Sequence, residues 1–216
     1  MQVITDLTFY SGIAASSLAA TLAVYLIIIW YRQENRILTD LPLMFGIVFI
    51  AHASNQFIVL LSESGYLEMT LEVFKIRALI VGGIALPLVG VLLHIWFPRL
   101  RRHHLKILGL VTLYWVIVAL FGFTQNMIMT LHLPIIIIFM GGMVVTFAIT
   151  WKTGRLKEVK SDLMVFSAIL SLIGQMGLVT LLSMGLAVVW SLLMVMATLC
   201  ATLALVNPWY KHTAPL

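Results

Sequence analysis

The 216 residues carry 62% hydrophobic and 10% charged side chains, with a formal net charge of +5, which places the chain far outside the composition of a soluble domain. A basic excess in a soluble protein points to nucleic acid; in a chain this apolar it points to bilayer topology, and no nucleic-acid partner is expected. Charge is too sparse, and apolar sequence too continuous, to leave room for a separate soluble domain.

A helix needs about 20 apolar residues to cross roughly 30 Å of hydrocarbon, and the sequence predicts seven such stretches. These are Leu7–Tyr31, Leu41–Ser62, Ile76–Phe97, Leu105–Thr124, Leu131–Trp151, Asp162–Ser183 and Leu186–Val206. The expected fold class is an all-α integral membrane protein, a seven-transmembrane-helix bundle in a single domain. The first stretch follows a segment without basic residues and is too long for a cleaved leader, so it reads as a retained span.

Between the second and third spans, Leu67, Leu71 and Phe74 stand at helical spacing, which predicts a short amphipathic piece outside the membrane. Ser183-Met184-Gly185 is short enough to make the sixth and seventh spans antiparallel neighbours. The lone Cys200 lies inside the last span, where it has no internal partner for a disulfide and reads as a small packing residue.

The thirteen basic residues are unevenly placed. Arg32 and Arg36 follow the first span, Arg99, Arg101, Arg102 and Lys106 the third, Lys152, Arg155, Lys157 and Lys160 the fifth, and Lys211 the seventh. Only Lys75 and Arg77 fall on the other side, beside Glu63, Glu68 and Glu72. Bases near span ends resist translocation, so the N-terminus is expected outside and the C-terminus in the cytoplasm of a multi-pass cell-membrane protein. The group Arg99, Arg101, Arg102 and Lys106 would contact anionic headgroups or a partner protein.

Laying Trp30 on Trp151 also lays Phe45 on Phe166 and Leu60-Leu61-Ser62 on Leu181-Leu182-Ser183. The third and seventh spans both end in a proline followed by a base, at Pro98-Arg99 and Pro208-Trp209-Tyr210-Lys211. These matches predict a 3+1+3 plan, with parallel units 7–97 and 131–211 joined by helix 105–124. Ordinary helix ends, where tryptophan and proline gather at the interface, are the plainer account of the same matches.

Polar side chains inside a span are costly and mark sites or helix contacts. His52, Asn55 and Gln56 stand at i, i+3 and i+4 and therefore share a helix face. Ser167, Ser171 and Gln175 share one in the sixth span. The expectation is a weakly polar seam between spans two and six in which His52, Asn55, Gln56, Ser171 and Gln175 bind a small neutral or apolar ligand. Interhelical hydrogen bonding is the competing account and needs no ligand. His132, near the outer end of the fifth span, could approach Glu72 or Gln125-Asn126, but no metal site is expected there. Gly82-Gly83, Gly90, Gly141-Gly142, Gly174 and Gly177 would permit close helix approach.

Seven spans resemble microbial rhodopsins and G-protein-coupled receptors in plan only. The last span has no lysine for a retinal Schiff base, so retinal is excluded and no cofactor is expected. Asn207-Pro208-Trp209-Tyr210 lacks the receptor motif's two residues between Asn-Pro and Tyr. The 3+1+3 plan is similar to that of small sugar transporters of the SWEET type, without their Pro-Gln pair. No span carries a central charge, and no HxxxH, CxxC or nucleophile–base pair appears, so an enzyme is not expected. The sequence therefore reads as a non-enzymatic sensor or receptor acting through a partner. The alternatives are a small-solute transporter and an accessory subunit of a larger complex, with homo-oligomers open to each.

Overall fold

A computed structural model describes residues 2–34, 40–157, 159–184 and 186–208; within its helices the side chains of Arg101 and Gln175 lie outside the described residues, as do Arg36, Gly185 and Lys211 altogether. Seven α-helices are present among the described residues: α1 (Gln2–Tyr31), α2 (Leu41–Glu63), α3 (Leu71–Trp96), α4 (His104–Phe121), α5 (Gln125–Thr153), α6 (Ser161–Ser183) and α7 (Ala187–Val206). A 3-10 turn, Pro98–His103, joins α3 to α4. Six helices are long and apolar enough to cross a membrane; in α6 the apolar stretch counted among the described residues is Ser161–Gly174. The chain is thus a helical, multi-pass membrane-type protein.

Helix ends lie where backbone chemistry, not hydropathy, puts them. The third span starts at Leu71, ahead of the expected Ile76, because Thr70 caps it with its side-chain oxygen 3.4 Å from the amide of Val73, and Glu72 sits favourably in the first turn. Of the expected amphipathic piece, Leu71 and Phe74 therefore belong to the first turn of α3, packed on Ala78, Ala119 and Ile128, while Leu67 lies in the connection before it. The same effect draws α5 back to Gln125, where the Thr124 hydroxyl accepts from the Met127 amide at 3.2 Å. At the C-terminal end of α7, Asn207 adopts φ 38 in the left-handed region, and Pro208 prevents continuation.

The chain divides into two compact units, Met1–Met140 and Gly141–Leu216. In the first, α1 packs on α2, α2 on α3 and α3 on α4. Contact follows small residues. Ala15, Ala19 and Ala23 are buried along α1, and a Cβ on Gly46 would stand 2.8 Å from Ile27. A Cβ on Gly83 would meet that of Ala51 at 2.9 Å, which brings α2 and α3 close together. α2, held between α1 and α3, is the most enclosed of the six long apolar helices among the described residues. Facing away from that core, α4 exposes Leu110, Leu113, Ile117 and Leu120 while burying Trp115, Val118 and Ala119. A continuous exposed apolar face of this kind is suited to acyl chains rather than water.

Within the second unit, α6 and α7 form an antiparallel hairpin, as the short connection predicted. Its register is marked at three levels: the Lys160 amide donates to Ala204 O at 2.9 Å, the Ser167 hydroxyl to Ala197 O at 2.6 Å, and Gly174 lies against Trp190 and Met194. From Lys160 to Ser167 to Gly174, and from Ala204 to Ala197 to Trp190, the interval is one heptad, so the same helix faces meet at each level. A Cβ at Gly174 would approach Met194 Sδ to 2.8 Å. Because a thioether is flexible, Gly174→Ala should cost less than about 1 kcal/mol, whereas the branched Gly174→Val should cost about 1–3 kcal/mol. Detergent-unfolding titrations of the two variants test that difference.

Candidate functional site

The helical face predicted in α2 is buried in the first unit: His52 is 5% exposed, Asn55 2% and Gln56 3%. His52 is the central residue of the 23-residue α2, about 16 Å from either helix end at 1.5 Å per residue. The three side chains then diverge in what they do. Asn55 Oδ1 accepts a 2.8 Å hydrogen bond from Nε of Arg77 in the second turn of α3. His52 Nε2 and both polar atoms of the Gln56 carboxamide have no hydrogen-bond partner among the described residues.

Ser16 adds a fourth unsatisfied group. Its buried hydroxyl oxygen also lacks a partner among the described residues. A Cβ at Gly12 would lie 2.7 Å from the Leu60 side chain. Because α1 and α2 run antiparallel, one turn onward in α1 and one turn back in α2 brings Ser16 and Gln56 to the same level. Three helices thus contribute: α1 through Ser16, α2 through His52, Asn55 and Gln56, and α3 through Arg77.

Such groups are expensive. An unsatisfied buried donor or acceptor costs about 1–3 kcal/mol, and helices in lipid normally satisfy each other's polar side chains. A second buried polar cluster in the same unit illustrates the normal arrangement. Trp115 Nε1 donates to Ala78 O at 2.9 Å, His132 stacks on the indole with ring centroids 3.9 Å apart, and His132 Nε2 donates to Trp115 O at 3.1 Å. That cluster ties α3, α4 and α5 together with partners for its ring nitrogens on two helices. His132 is therefore a packing residue on Trp115. The group on α2 does not follow this pattern, and its open valences suit binding.

The remaining predicted residues fall elsewhere. Ser171 is half-buried on α6. Gln175 is on the same helix, with its side chain outside the described residues. Both belong to the second unit, whereas His52, Asn55 and Gln56 belong to the first, and each set is described within its own unit. In α6 the residue with a firm role is Ser167, bonded to α7. Arg99, Arg102 and Lys106 are exposed on and after the 3-10 turn. That turn is held by a 2.8 Å hydrogen bond from His104 Nε2 to Phe97 O, with the His94 ring beside His104.

Arg77 and Ser16 were missed as site residues. Arg77 read as one of two bases on the minority side of the membrane, because the predicted third span began only one residue before it. Ser16 was masked by the small residues around it in Ala14-Ala15-Ser16-Ser17. Among protein-family models, curated proteins and solved structures, none matches this chain.

Proposed function

We propose that this chain is a non-enzymatic membrane protein of sensor or receptor type, which binds a small ligand among α1, α2 and α3 and acts through a partner. The carrying observation is the set of buried, unsatisfied polar atoms on His52, Gln56 and Ser16, next to the bonded pair Asn55–Arg77. Polar groups kept in hydrocarbon at the expense of stability are the mark of a site. The exposed bases Arg99, Arg102 and Lys106 supply a face for an anionic headgroup or partner protein. Their distribution supports an N-terminus outside and a C-terminus in the cytoplasm, and the matched helix ends support the 3+1+3 plan. No cofactor is part of this reading.

Stability tests the proposal by its sign. His52→Leu and Gln56→Leu are each expected to leave stability unchanged or raise it by about 1 kcal/mol, since each removes an unsatisfied buried group. If both variants instead lose more than about 1 kcal/mol in detergent unfolding, these side chains serve helix packing and the ligand reading fails.

A further inference from the structure

The groups on α2 also specify a ligand chemistry, and this step rests on the reading above. Gln56 presents a carbonyl acceptor and an N–H donor side by side, both buried and both without a partner among the described residues. His52 Nε2 lies one helical turn away on the same face, equally buried and unsatisfied. An apolar ligand would leave all of these atoms desolvated and unpaired. A bare anion could accept from the amide N–H but would be repelled by the amide oxygen. A ligand with one donor and one acceptor on adjacent atoms satisfies both halves of the carboxamide together, as two amides do when they pair edge to edge.

We propose that this site recognises a small neutral molecule through a cis-amide edge, the N–H/C=O pair found in lactams, cyclic ureides and nucleobase-like rings. Gln56 reads the edge, His52 offers a further polar contact one turn deeper, and the Asn55–Arg77 bond fixes the α2 face against α3. The sequence alone suggested a neutral or apolar ligand; the unsatisfied pair on Gln56 narrows this to a ligand that both donates and accepts.

The test uses the full chain in lipid nanodiscs and three probes: δ-valerolactam, its N-methyl derivative and toluene. Binding is followed by saturation-transfer NMR against empty nanodiscs. δ-Valerolactam is expected to bind, N-methylation to weaken it about tenfold or more by removing the donor, and Gln56→Met to weaken the parent lactam to a similar degree. Circular dichroism confirms that Gln56→Met is folded, and His52→Leu provides a second variant at the same site. If N-methyl-δ-valerolactam or toluene binds as well as the parent, the cis-amide inference is overturned; loss of that binding in His52→Leu then shows that the site itself remains, and its persistence overturns the site as well. If none of the three probes binds, both the inference and the proposed ligand site are overturned.

Discussion

Replacing Asn55 by leucine is expected to destabilise the protein by about 2–3 kcal/mol, because it leaves the half-buried guanidinium of Arg77 without the oxygen that its Nε now meets at 2.8 Å. Arg77→Met should also be destabilising, by about 1–3 kcal/mol, since the amide of Asn55 is 2% exposed and loses its donor. The double variant is the informative one. Removing both partners together replaces a polar pair by apolar groups of similar size, so it should recover most of the loss. A double-mutant cycle, measured by unfolding in bicelles, should give a coupling energy above about 1.5 kcal/mol. Ordinary hydrogen bonds between membrane helices average about 0.6 kcal/mol. A strictly additive cycle would mean that the bond does not hold α2 to α3, and the account of that face would have to be abandoned.

Truncation at Trp115 should be the most damaging single change, with a loss of about 3–5 kcal/mol for Trp115→Ala. The side chain is 1% exposed. It fills the space that Gly82 leaves, bonds Ala78 O and carries the stacked ring of His132. Three contributions therefore disappear together: dispersion contacts, one hydrogen bond and the support of a buried imidazole. The complementary substitution is Gly82→Val. Even a single Cβ at Gly82 would lie 2.8 Å from Trp115 Nε1. An enclosed indole cannot yield as Met194 can beside Gly174, so a loss of about 2–3 kcal/mol is expected, at the upper end of the range for Gly174→Val. Thermal unfolding followed by far-ultraviolet circular dichroism reports both variants, and in Gly82→Val the near-ultraviolet signal of the stacked indole should also fall with the packing.

These two regions explain why burial of a polar group is not by itself a sign of function. The Trp115–His132 cluster is buried and polar, yet its hydrogen bonds close on the backbone of α3 and α4. It acts as a fastening. Among the described residues the α2 face closes at Asn55, while one turn to one side and one residue to the other, His52 Nε2 and the Gln56 carboxamide stay open. The expected outcomes differ accordingly. Substitution of the fastening should lower stability whatever is bound, while substitution of the open groups should spare stability and change what binds.

The sequence by itself determined the helices, because the thickness of hydrocarbon sets a length that apolar runs must match and almost nothing else in the chain competes with that signal. Six of the predicted stretches are among the helices long and apolar enough to cross. Spacing alone also placed His52, Asn55 and Gln56 on one face, since 3.6 residues per turn fixes which positions align. Hydropathy placed the starts of α3 and α5 too late because Glu72, Lys75 and Arg77 in α3 and Gln125 and Asn126 in α5 interrupt the apolar run, while the caps at Thr70 and Thr124 are a hydrogen-bond effect to which an apolar count is blind.

Only the tertiary structure decided which of the three α2 residues is satisfied. That depends on how closely α3 approaches: Gly83 lets its backbone come against Ala51, and the approach carries Arg77 to Asn55. It likewise assigned Ser16 to the level of Gln56 and His132 to Trp115. The physical reason is common to all three. A side chain's neighbours across a helix interface are set by shape and register between segments far apart in the chain, and no local pattern of residues records them.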